Sequence, residues 1–159
     1  MASYTTASDP TALDPIALAD HLRDVMATAA ARFDAISAEA AAVSPAPGKW
    51  SVQQIVGHLC DSAMNNQQRI VRLALEPSID LPGYEQEGWV RVQRYQARGW
   101  SEVVGLWLVL NRHFAHTVEG LDRTVLTHVW HYKGEALTLG FIIEDYIAHM
   151  KHHLRTLPV

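Results

Sequence analysis

One cysteine, Cys60, in 159 residues leaves no internal disulfide to lean on, so nothing in the chain points to an oxidising compartment. Charge of one sign is not concentrated anywhere. Thirteen Lys and Arg stand against 17 Asp and Glu for a formal net charge of −4, and the basic residues never form a run. That excludes the electrostatic footprint expected for DNA, RNA or anionic-membrane partners. Long apolar runs are missing too: none approaches the ~20 residues of a membrane helix. Met1 to Pro10 has neither the basic start nor the apolar stretch of a secretory signal, so a cytoplasmic protein is expected. No sustained strand pattern runs through the chain, which leaves helices to build the core.

What is present is enough for one domain, since domains cluster at ~100–150 residues and about half of this composition is apolar. Residues 1–13 are small and polar and read as a flexible tail; 14–159 read as the domain. Asp14-Pro15 is a helix start, and Ile16, Ala19, Leu22, Met26, Ala29, Phe33 and Ile36 recur at steps of three and four. The Ala-rich stretch carries this first helix to Ala42, before Ser44-Pro45-Ala46-Pro47-Gly48. Ser51 with Gln54 has capping-box form and opens a second helix through Ile55, Leu59, Ala63, Ile70 and Leu73. Residues 77–99 hold two prolines and three glycines and read as a long structured loop. A third helix opens at Ser101-Glu102 and buries Val103, Leu106, Trp107, Leu110 and Phe114. Residues 125–137 suggest a short hairpin turning at Lys133-Gly134. Thr138 caps a last helix through Phe141, Ile142, Tyr146, Met150 and Leu154, which stops before Pro158. The expectation is an all-α four-helix bundle.

Nine histidines invite a search for clusters. His149 and His153 lie four apart on the last helix, so both rings reach one side, where a metal takes imidazole nitrogens at ~2.0–2.1 Å. His152, three after His149, is an alternative to His153 on spacing alone. A third ligand must come from another helix. His58 is the candidate, because it falls on the inward stripe from Ile55 to Ser62, where an unpartnered ring costs ~1–3 kcal/mol. Three neutral imidazoles leave the ion's charge unneutralised and a position open, the arrangement in which a divalent metal acidifies a coordinated water. Three nitrogens suit zinc, nickel, copper or iron, with zinc or nickel expected first. The plainer reading of such residues is an exposed pair and a hydrogen-bonded core histidine. His21, His113, His116, His128 and His131 take that plain reading, and Cys60 points ~200° away from His58 as a core residue.

These segments resemble the DinB superfamily, in its YfiT-like metal-binding branch. The likeness lies in Lys49-Trp50-Ser51, Gly57-His58-Leu59-Cys60-Asp61-Ser62, Leu81-Pro82-Gly83-Tyr84 through Trp89-Val90, and Gly140 to Ile147 followed by His149 and His152-His153-Leu154. It covers roughly residues 14–157 in the right order. The resemblance implies a four-helix bundle of up-down-down-up topology and a metal on His58, His149 and His153, which favours His153 over His152. Where related proteins often carry Glu after the first of these last-helix histidines, this chain has Met150, so the metalloprotease H-E-x-x-H pattern is absent. Family activities implied by the resemblance are metal-dependent hydrolysis and S-transfer with low-molecular-weight thiols.

The expected function is therefore a metal-dependent hydrolase acting on a small molecule, with a thiol S-transferase second and a non-catalytic metal- or ligand-binding protein third. Asp61 and Asp145 are placed to move a proton or to orient a ligand imidazole. Arg69, eleven residues beyond His58 on one helix face, is placed to meet a carboxylate on a thiol cosubstrate. Tyr84 and Trp89 of the long loop are placed to roof the pocket. Trp107 and Leu110 add apolar bulk on the third helix that could overfill one core, and suggest a homodimer face.

Overall fold

The computed structural model describes residues 3–157; Met1, Ala2, Pro158 and Val159, which the expected tail and domain include, lie outside the described residues. Pro15 sits in the first turn of α1 (Pro15–Asp34), although the Asp14 side chain makes no capping bond. The buried face of α1 runs Leu18, Ala19, Leu22, Met26, Ala29 and Phe33. Ile16 is 55% exposed, so the apolar stripe starts later than its sequence suggests. The single helix expected to reach Ala42 is broken after Asp34. The Ser37 hydroxyl accepts the Ala40 N–H and begins a separate short helix, α2 (Ala38–Ala42). A serine that satisfies an orphan donor overrides the helix propensity of the alanines around it.

The capping box at Ser51 forms as expected, with both reciprocal bonds present, and starts α3 (Val52–Leu75). Past Pro77 the backbone makes β1 (Ser78–Asp80) and then α4 (Gln86–Gln93). This helix is a correction to the loop expected over 77–99. Glu85 caps it by accepting the N–H groups of Glu87 and Gly88, and Val90 is its buried anchor, so one glycine does not prevent it. A 3₁₀ turn, Tyr95–Ala97, leads to α5 (Trp100–Glu119). Next come β2 (Val129–Tyr132), β3 (Glu135–Thr138) and α6 (Leu139–Thr156), whose Phe141 N–H is capped by Thr138.

The four long helices form the bundle. α1 packs on α5 and α6, and α3 packs on the same two. Arg23 meets Glu119, and the Phe33 ring meets Trp100 and Trp107, so α1 and α5 run antiparallel. Cys60 lies by Val103 and Gln67 by Thr117, so α3 and α5 run parallel. His58 lies by His153 and Ser62 by His149, so α3 and α6 run antiparallel.

Strict all-α architecture is not what forms. β1 pairs parallel with β2, and β2 pairs antiparallel with β3, giving a small sheet in which Ile79 faces Trp130 in register. The hairpin lies at 129–138 rather than 125–137, because Arg123–Thr127 winds into a 3₁₀ turn. Its turn is Lys133-Gly134, both with positive φ, the geometry that matches the twist of paired strands. The third strand was illegible: three residues after a proline carry no periodicity of their own, and pairing with a distant strand makes them one. Trp107 is fully buried, edge-on to Phe33 with ring centroids 5.1 Å apart. Leu110, the other residue behind the homodimer expectation, is half-buried on α5.

Gly57 on α3 faces the Tyr95 ring, and a Cβ there would lie 2.2 Å from Tyr95 Cδ2. The Gly57→Ala substitution is expected to destabilise the fold by about 1–3 kcal/mol through overpacking, read as a lower urea midpoint with an unchanged slope.

Candidate metal centre

α3 and α6 place three imidazoles at one point. His58 is fully buried on α3, His149 is 6% exposed on α6, and His153 is half-buried one turn further along. One ring nitrogen from each lies within 4.8 Å of the others. His58 Nε2 and His149 Nε2 are 3.2 Å apart. Two nitrogens each ~2.0–2.1 Å from a tetrahedral ion would be separated by roughly 3.3–3.4 Å, so this spacing fits a shared ion. The ring pairs cross edge to face at centroid separations of 5.1, 5.0 and 4.6 Å. His152 is exposed and is not among the three.

Electrostatics keep these rings in the form a metal needs. Burial, then the neighbouring imidazoles, pushes His58 and His153 down to about 4 and His149 down to about 3. At neutral pH all three are uncharged with a lone pair to offer. The Ser62 hydroxyl lies 3.3 Å from His149 Nδ1; in the tautomer protonated at Nδ1 it accepts that N–H, which leaves Nε2 facing the cluster with its lone pair. Asn66 Nδ2 donates to the Ser62 carbonyl at 2.9 Å and reaches its hydroxyl at 3.3 Å. Arg69 Nη1 donates to Asn66 Oδ1 at 2.8 Å. Ser62, Asn66 and Arg69 follow His58 at steps of four, four and three, so one face of α3 carries ligand and support together.

Beyond His149 lies a small closed cavity lined by Tyr4, Ser62, Asn66, Arg69, Tyr84 and Asp145 among others. Its free volume of ≈ 20 Å³ is room for one water, which needs about 10–15 Å³. Asp145 accepts the Tyr4 N–H through Oδ1 at 2.5 Å, and its Oδ2 has no partner among the described residues. Burial raises its pKa. Asp61 accepts from Tyr95 Oη at 2.7 Å and Gln93 Nε2 at 3.2 Å, and burial raises it as well. Neither carboxylate is hydrogen-bonded to a clustered imidazole. Tyr84 lines the cavity, and burial pushes its hydroxyl up to about 12, so it stays protonated. Trp89 packs on Tyr84 at 5.1 Å but is 37% exposed on α4, outside that cavity.

The sequence profile of the DinB superfamily matches residues 21–157. The chain belongs to the DinB superfamily. A protein of Oceanobacillus iheyensis named "putative metal-dependent hydrolase" is 26% identical over 110 residues, 67% of this chain. The match spans 62% of that relative's length. Among solved structures, YfiT from Bacillus subtilis aligns with a TM-score of 0.82 and 19% identity over 97% of this chain and 89% of its own. It is described as a "probable metal-dependent hydrolase" with an unusual four-helix bundle topology.

Other residues of this DinB chain keep to plainer roles. Cys60 is buried against the Val103 carbonyl, and burial pushes its thiol up to about 12, so it is no thiolate. His128 Nδ1 is bonded to the Leu73 carbonyl at 2.6 Å, while His21, His113, His116 and His131 face water. Sequence reasoning missed three contributors. Ser62 was readable in principle, one turn beyond His58. Trp50, whose ring lies 5.1 Å from that of His58, and Tyr4, whose ring lies 4.8 Å from that of His149, carried no signal in spacing.

Two outcomes are expected from this geometry. Ser62→Ala should weaken binding of a divalent ion by about 10–100-fold in a competition titration while leaving the helical circular dichroism unchanged. The three histidines are lowered in the folded state, so the unfolded chain takes up more protons once the pH drops below about 6.5. Stability of the metal-free protein should be level from there to about pH 8, short of the range in which the raised Cys60 and Tyr84 titrate, and should fall progressively toward pH 4; His58→Ala should flatten part of the acid slope in thermal melts.

Proposed function

We propose that this protein is a metal-dependent hydrolase of small molecules, with one divalent ion held by His58, His149 and His153. A single observation carries the reading: two buried imidazoles and one half-buried, from two helices, converge, and no fourth His, Cys, Asp or Glu among the described residues joins them. Structural sites close around the ion with four protein ligands, whereas catalytic sites keep a position open. That count favours catalysis over a metal staple. The names of the relatives support the same class. The helix directions support the up-down-down-up order, in which α3 and α6 are antiparallel neighbours.

An ion in this place, with zinc or nickel the first candidates among the metals that an all-nitrogen donor set suits, would supply Lewis acidity and would lower the pKa of a coordinated water. The chain supplies the rest. Ser62 fixes the ring of His149. Asp145 Oδ2 faces the cavity beside His149 without a partner and is the group that takes the proton during hydrolysis. Asp61, engaged by Tyr95 and Gln93, holds α3 to the segment after α4 and supports the fold around His58. S-transfer with a low-molecular-weight thiol would use the same open position, and with Cys60 sealed in the core its thiol must come from outside the chain.

Elemental analysis after exposure to zinc or nickel should give one ion per chain for wild type and almost none for His149→Ala. A panel of simple esters, amides and lactones should be cleaved without added thiol, with Asp145→Asn reduced by about 10²–10⁴-fold at retained metal content. Equal, low metal in wild type and His149→Ala defeats the reading; turnover that appears only with thiol present hands it to S-transfer.

A further inference from the structure

Arg69 is the one strongly charged group inside this bundle that the proposed hydrolysis does not use. It is 3% exposed, and no carboxylate among the described residues forms an ion pair with it. Its guanidinium carbon lies 4.1 Å from the centroid of the Trp130 ring of β2, within cation–π range. One of its five N–H donors is spent on Asn66 Oδ1. Burial lowers its pKa, yet a guanidinium starts so high that it stays charged at neutral pH. A buried cation without an anion is costly, and proteins with a net negative charge have no shortage of carboxylates to pair it. Here none is supplied.

The position gives that vacancy a meaning. Arg69 lines the same small cavity as His149, Ser62, Tyr84 and Asp145. The one carboxyl on that wall, Asp145, is not within ion-pair distance of it and is engaged by the Tyr4 backbone. Along α3 the Arg69 backbone lies seven positions beyond Ser62, about 10 Å of helix rise, and its side chain reaches back to Asn66, so the guanidinium is nearer to His149 than that rise. Tyr4 and Tyr84, both on non-helical backbone, are among the lining residues, and with room for one water the cavity takes a larger ligand only if lining side chains move.

We propose that Arg69 is the recognition site for an oxyanion, a carboxylate or a phosphate, carried by the substrate at the end remote from the metal. The proposal rests on the metal reading for the position of the reacting end, but the anion site itself does not need the ion. It assigns the substrate class as small acids whose charged group and reacting bond span the short distance between Arg69 and His149 across the cavity both line. A guanidinium fork with four of its five N–H donors uncommitted, held against an indole, suits bidentate capture of such a group.

The probes are adipic acid monohydroxamate, its terminal primary amide and its phosphonate-ended analogue. Their hydroxamate end seeks the metal and their other end differs only in charge. Affinities are measured by calorimetry on metal-loaded and on metal-free protein. In wild type the carboxylate or the phosphonate should bind about tenfold or more tightly than the amide, as expected for a hydrogen bond to a charged group. The tighter of the two identifies the oxyanion. In Arg69→Gln that preference should fall to near one while affinity for the amide is retained. Arg69→Lys keeps the charge without the fork, should retain part of the preference, and serves where the glutamine variant does not fold. A guanidinium that only tethers Trp130 would lower stability in these variants and leave the acid-to-amide ratio unmoved. A ratio near one in wild type, or an equal ratio in wild type and both variants, overturns the anion site. Failure of the metal reading looks different: hydroxamates then bind loaded and metal-free protein alike, and the acid-to-amide ratio still decides the role of Arg69.

Discussion

The seam between α3 and α6 carries a polar load that a bundle interior ordinarily excludes. His58, Asp61, Ser62, Asn66 and Arg69 of α3, together with Asp145 and His149 of α6, are all buried. Burying such groups is tolerable only when they answer one another or a ligand. Ser62, Asn66 and Arg69 do so in a chain that ends on the His149 ring, and the Trp130 face receives the guanidinium. What remains unanswered along this seam is His58 Nδ1, one oxygen each of Asp61 and Asp145, and the charge of Arg69.

The rest of the architecture serves that seam. The α1–α5 pair supplies the apolar mass, with Phe33 edge-on to Trp100 and Trp107, and keeps the polar face of α3 turned toward α6. The small sheet sets Trp130 under Arg69 and ties down the segment before Tyr84 through Trp130 Nε1 and the Leu81 carbonyl, 2.9 Å apart. The Tyr95 turn after α4 packs so closely on α3 that only glycine fits at position 57, and its hydroxyl engages Asp61. Elements that look peripheral in the chain thus hold the walls of one cavity. No described helix is long and apolar enough to cross a membrane.

Family membership and site geometry contribute different kinds of knowledge. Membership in the DinB superfamily accounts for the bundle and makes a metal on the clustered histidines the natural reading. It does not name a substrate. That information resides in residues such as Arg69 and Tyr84, whose surroundings differ in character from the ligand set: an indole, an amide and two tyrosines.

The sequence by itself determined the four long helices, because their three-and-four periodicity and the caps at Ser51 and Thr138 are local facts. It also determined the metal candidates: an i,i+4 pair on one helix and a histidine on the inward stripe of another can be read without coordinates. Tertiary structure alone decided what long-range contact creates. β1 exists only because β2 pairs with it, and α4 is held by one cap and the burial of Val90. Tyr4 reaches Asp145 across most of the chain, and Arg69 meets Trp130 from a different element. Spacing along one helix fixes which residues share a face; which faces meet, and what is sealed between them, is settled by packing over the whole molecule.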